Sequence, residues 1–92
     1  MGATGTATLN FGSAPGTNVV TVAVTGQGAI GSGSHCEAWL MGDSTADHNA
    51  VEHAVAPIRC SCGSIVAGTG FTITAICDWR LTGQFTVHWV WV

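Results

Sequence analysis

Hydrophobic and polar positions alternate along most of this chain. Ala7, Leu9 and Phe11 alternate with Thr6, Thr8 and Asn10, the two-residue period of a strand with one buried face. Gly12-Ser13-Ala14-Pro15-Gly16 then reads as a turn, because proline presets φ and glycine admits positive φ. A β-branched run over 19–25 places Val20, Val22 and Val24 on one face. Residues 35–41 alternate again, with Cys36, Ala38 and Leu40 opposite Glu37, Trp39 and Met41. A short strand is expected from Ile58 to Cys62, ended by Gly63. Phe71, Ile73, Ala75, Cys77 and Trp79 share one face of the next strand. Phe85, Val87, Trp89 and Trp91 share one face of the last, whose other face carries Thr86, His88, Val90 and Val92.

Residues 42–56 break this period. Ala46, Ala50, Val51, Ala54 and Val55 fall on one helical stripe. Ser44 and Asp47 resemble a capping box, and Pro57 stops a helix and disfavours helical geometry at Ala56. The pattern predicts one short helix over 45–54, with an ordered loop as the alternative, since so short a helix depends on tertiary contacts.

The fold class that follows is all-β: a small β-sandwich or barrel of about six to seven antiparallel strands with one short helix, as a single domain over 1–92. The core is expected to join the row from Phe85 to Trp91 with Phe71, Ile73 and Trp79. The last strand is apolar on both faces near its end, so its second face is expected to meet either another subunit or the helix. Val24-Thr25-Gly26-Gln27 echoes Leu81-Thr82-Gly83-Gln84, which two hairpins of similar turn chemistry would produce without a sustained repeat.

Composition shifts attention to the surface. Of 92 residues only 8% are charged, while 47% are hydrophobic; about 25% charged is usual for a soluble domain. Too few charges remain to cover a free monomer, and large exposed apolar area marks an interface. A monomer with a threonine-rich surface is the simpler alternative. Arg59 and Arg80 are the only cationic side chains apart from histidine, at a net charge of −3. Neither nucleic acid nor an anionic membrane surface is therefore an expected partner. The N-terminal stretch lacks the pattern of a secretory signal, and no apolar run reaches the length of a membrane span. Synthesis in a reducing cytoplasm is the expectation.

Candidate chemistry is sparse. Cys36, Cys60, Cys62 and Cys77 each fall in the apolar phase of a strand, and Cys60-Ser61-Cys62 lacks common zinc-site spacing. Buried thiols are expected, with one or two disulfides or a four-cysteine metal site as alternatives. His48 and Glu52 share a helical face, whereas His48 and His53 are about 140° apart and chelate poorly within one chain. Around a symmetry axis, copies of one histidine could surround a metal. Ordinary contacts on a solvated helix face are the simpler reading. No nucleophile elbow, phosphate loop or metalloprotease motif occurs, so neither an enzyme nor any cofactor, catalytic residue or metal ligand is expected. Of the four tryptophans, Trp79, Trp89 and Trp91 are assigned to the core. Trp39, Met41, Val90 and Val92 are the interface candidates.

The stretches 5–12 (GTATLNFG), 37–48 (EAWLMGDSTADH) and 81–91 (LTGQFTVHWVW) resemble small structural proteins of tailed bacteriophages and prophages. The resemblance implies a virion structural protein and carries no functional residue over. The expected function is a part of the tail-tip or tail-fibre apparatus, or a capsid decoration protein. It would be made in the host cytoplasm and work as a homo-oligomer, expected to be a trimer, alongside other virion proteins. The alternative is a carbohydrate- or receptor-binding β module, in which Trp39 would stack on a host-surface sugar.

Overall fold

The computed structural model describes residues 2–92. Six strands form two three-stranded antiparallel sheets. They are β1 (Ala3–Asn10), β2 (Thr17–Val24), β3 (Cys36–Trp39), β4 (Arg59–Val66), β5 (Gly70–Leu81) and β6 (Gln84–Trp91), with one helix, α1 (Ala50–Val55), between β3 and β4. The first sheet has the order β1-β6-β3 and the second β2-β5-β4. β1 also touches β2, and β3 touches β4. The sandwich therefore narrows towards a barrel at both edges.

The two central strands build the core, as their alternation requires. Phe85, Val87, Trp89 and Trp91 of β6 and Phe71, Ile73, Ala75 and Cys77 of β5 are all buried, together with Leu9, Phe11, Val24 and Ile30. Each fully buried large apolar side chain contributes about 1.5–3 kcal/mol. Phe71 meets Trp89 edge-on at 5.6 Å, and Phe11 meets Phe85 at 5.7 Å. Trp91 Nε1 donates to Gln27 Oε1 at 2.9 Å. Trp89 Nε1 is buried with no partner among the described residues.

Trp79 departs from expectation: it is 58% exposed, outside the core. Val19 of β2 pairs with Ile76, but Thr17 pairs with Leu81. The extra residues of β5 form a bulge, and a bulge breaks the in–out parity of a strand. β4 differs too, because it continues past Gly63. A register shift between Gly63 and Val66, with Ser64 at φ 52°, absorbs the irregularity.

The echoed Thr-Gly-Gln segments do not close hairpins. β2 and β5 both lie in the second sheet, and each Thr-Gly-Gln carries the chain out of it. Gly26 and Gly83 have φ of 76° and 77°, a region open to glycine at little steric cost. After Gly83 the chain passes directly into β6 of the opposite sheet. The shared chemistry is that of a sheet exit.

The helix is shorter and later than expected. Thr45 Oγ1 accepts from the backbone N–H of Asp47 and His48, which makes a turn where helix was expected. Asn49 is the N-cap: its Oδ1 accepts from Glu52 N at 3.0 Å, and Glu52 Oε1 accepts from Asn49 N at 2.8 Å. This reciprocal capping box replaces the expected Ser44–Asp47 pair. The expected apolar stripe faces outward, with Val51 and Val55 68% and 71% exposed, and His53 is the helix's buried residue.

Candidate interaction surface and cysteine cleft

The outer face of β1-β6-β3 follows from the register. Thr86, His88 and Val90 of β6 stand opposite Thr8, Thr6 and Thr4 of β1. On the other side, His88 and Val90 stand opposite Trp39 and Glu37 of β3. Threonine and valine thus supply most of this face, and Glu37 is the carboxylate within its strands. The Trp39 ring lies 19° from parallel to that of His88, with centroids 6.4 Å apart. His88 Nε2 donates to Asp43 Oδ2 at 2.5 Å, which holds the imidazole beneath the indole.

Of the interface candidates, Trp39 and Val90 share this face. Trp39 is 38% exposed, and Val90 is half-buried between its neighbours. Met41 and Val92 are exposed but lie beyond opposite ends of β3. Val92 is pinned there by two backbone hydrogen bonds with His35.

A second apolar patch has no counterpart among those candidates. Trp79, Val55, Ala56 and Leu81 surround a hollow of about 180 Å³ with His48, Glu52 and Phe85. The bulge in β5 turns Trp79 towards it. Position alone gives no signal for that bulge, but Val51 and Val55, four apart on a helix too short to bury a stripe, carry one.

Two histidines brace this end of the fold. β3 ends at Trp39, opposite His88, so the N–H of Thr86 lies beyond the end of that ladder. His53 Nε2 takes it at 3.0 Å, while Nδ1 faces the Asn49 carbonyl at 3.0 Å. Because Nε2 accepts, Nδ1 carries the proton and donates. His48 stacks on Phe85 at 4.0 Å, with Nδ1 3.3 Å from Glu52 Oε2 and Nε2 against the Thr82 carbonyl. The Asn49 N–H, then His48, hold the Glu52 carboxyl below its usual value.

Between the edges of β3 and β4 runs a cleft of about 490 Å³, lined by Cys36, Glu37, Ala38 and Trp39 on one side and Cys60, Ser61 and Cys62 on the other. The three thiols point towards the core and are half-buried, whereas Cys77 is buried on β5. Burial pushes the Cys62 thiol up to about 12, reinforced by the adjacent Cys36, and burial also raises Cys60. Among the described residues, no three His, Cys, Asp or Glu side chains converge in a metal-holding cluster. No helix is long and apolar enough to cross a membrane.

Compared with known protein families, curated proteins and solved structures, the chain matches none.

Proposed function

We propose that this protein is a structural subunit of a tailed-bacteriophage virion. It assembles with copies of itself, as a trimer, in the tail-tip or fibre apparatus or as a decoration protein on the head. One observation carries the reading: among the described residues nine large hydrophobic side chains are exposed, including Trp79, Val55 and Met41, on a chain with only seven charged residues. Exposed apolar area of this kind marks an association surface. Sedimentation velocity at micromolar concentration tests it, with a trimer expected. A chain that stays monomeric at high concentration overturns the self-assembly. Copy number in a purified particle tests the virion role: capsomer symmetry means head, and threefold or sixfold copies mean tail.

Trp39 favours a second reading, a carbohydrate-binding module. Its ring is partly exposed beside the β3–β4 cleft, and exposed indoles stack on sugars. Saturable quenching of tryptophan fluorescence by a host-surface glycan, abolished in Trp39→Ala, would select this reading.

A further inference from the structure

Cys36 opens β3 and faces inward from the edge of the first sheet; Cys62 faces inward from β4, at the edge of the second. Both thiols line the one cleft between β3 and β4, and after burial Cys36 is the neighbour that most raises the Cys62 thiol. Cys60 lies two residues along the same face of β4. Cys77 sits on the central strand β5, only 1% exposed, and does not line the cleft. One thiol from each sheet thus meets where β3 and β4 approach without joining into one sheet.

We propose that Cys36 and Cys62 are a disulfide-forming pair that, on oxidation, bolts the edge of one sheet to the edge of the other. The oxidant is a small-molecule disulfide. The thiolate of Cys36 attacks one of its sulfurs, that S–S bond breaks, and one small thiol leaves. The sulfur of Cys62 then attacks the Cys36 sulfur of the mixed disulfide, loses its proton to solvent and expels the second small thiol. Two protein thiols lose two electrons and two protons, and the small disulfide gains both.

The high value of the Cys62 thiol sets the order of events. The thiolate is the attacking species, so Cys62, whose proton is held by burial, is placed as the second thiol to react. Part of what holds the Cys62 proton is the nearby Cys36, and that part changes once Cys36 is in a mixed disulfide. The chain remains a four-thiol protein in a reducing compartment and closes its edge in an oxidising one. This inference stands apart from the assembly reading, since both cysteines belong to one chain.

Trypsin tests it directly, because Arg59 and Arg80 are the only cleavage points in a chain without lysine. The purified full chain is incubated at low concentration with oxidised glutathione at pH 8.5, quenched with acid and digested without reductant. The expected result is loss of two of the four titratable thiols and a covalent link between the peptide ending at Arg59 and the 60–80 peptide. Fragmentation of the linked species should place the bridge at Cys62. Cys60→Ala should preserve the link and Cys62→Ala abolish it. The oxidised chain should melt roughly 10–20 °C higher, reversibly with dithiothreitol. Four surviving thiols overturn the proposal, as does a loop closed within 60–80, a bridge mapped to Cys60, or a covalent dimer. Fragmentation of the wild-type species decides between Cys60 and Cys62 even if a variant fails to fold.

Discussion

Gly5 of β1 and Trp89 of β6 are direct cross-strand partners, and the indole occupies the space a side chain on Gly5 would need. A Cβ built there would lie 2.4 Å from Trp89 Cζ2. The absence of a side chain at one edge-strand position thus lets a tryptophan of the central strand lie over its neighbour.

Gly5→Ala should therefore destabilise the fold by about 1–3 kcal/mol, the cost of overpacking. The usual effect of glycine replacement is opposite in sign where the backbone permits it, about 0.4–1 kcal/mol stabilising. Gly28→Ala is the control, since nothing lies within 4 Å of a Cβ there. Urea titrations of the three proteins should show a lower midpoint for Gly5→Ala alone.

The tryptophans should separate into two groups. Trp89→Ala removes a buried side chain at about 3–5 kcal/mol, a large share of the 5–15 kcal/mol roughly typical of a domain, and should abolish soluble folded protein. Trp39→Ala and Trp79→Ala should leave monomer stability within roughly 1 kcal/mol of wild type. Whichever of them lies in the proposed subunit contact should weaken self-association about tenfold or more. Circular dichroism and sedimentation velocity measure both quantities on each variant. Unfolding by Trp39→Ala would place that residue in the core.

His53→Ala should leave the Thr86 N–H unpaired inside the protein, at a cost of about 1–3 kcal/mol. Amide exchange at Thr86 should accelerate before exchange in the β4–β5 hairpin changes. Equal loss of protection in both places would mean that His53 supports the whole fold.

Glu52 gives the helix an acid limit. Its carboxyl is depressed in the folded chain, chiefly by the Asn49 N–H. Its contribution is thus fully present above the ordinary carboxyl value and is lost as pH falls through the lower folded one. Wild type should exceed Glu52→Gln in stability at neutral pH, and the gap should close below about pH 4. A gap independent of pH would show that the carboxylate charge has no part in capping.

The cleft thiols set the opposite limit. Cys62 is raised to about 12, so its stabilising contribution is complete below the unfolded thiol value, about 8.5, and is lost as pH rises through about 12. Alkaline unfolding should accordingly be shifted upward in Cys62→Ala if that variant folds. At pH 8, iodoacetamide should label Cys60 and Cys62 at least tenfold more slowly in the native chain than in urea, followed by mass spectrometry of the 60–80 peptide.

The strands were readable wherever alternation was uninterrupted. Val20, Val22 and Val24, the row from Phe85 to Trp91, and the inward cysteines all follow parity alone. Trp79 shows where parity stops: a bulge inserts residues on one side of a pair, and the sequence of one strand does not announce the register of its neighbour. The helix was misplaced because Ser44–Asp47 and Asn49–Glu52 both offer a capping spacing, and tertiary contacts decided between them. The neighbouring Thr45 hydroxyl accepts from Asp47 and His48 and donates to the Gln84 carbonyl, tying that segment to β6 as a turn. The exposed surface was legible as a shortage of charge, but its division between the Trp39 face and the Trp79 hollow was not. That division depends on which strands are neighbours.

Because β6 is the middle strand of β1-β6-β3, neither β1 nor β3 has a partner in its sheet until β6 arrives. A ribosome releases β2, β4 and β5 before β6, and they can already pair. β1, though made before all of them, waits for β6. The nascent molecule is then half a sandwich, with the core faces of β5 and β4 open to solvent. β6 closes both the sheet and that window, so a pause just before β6 is made should expose more sticky surface than an equal pause before β2.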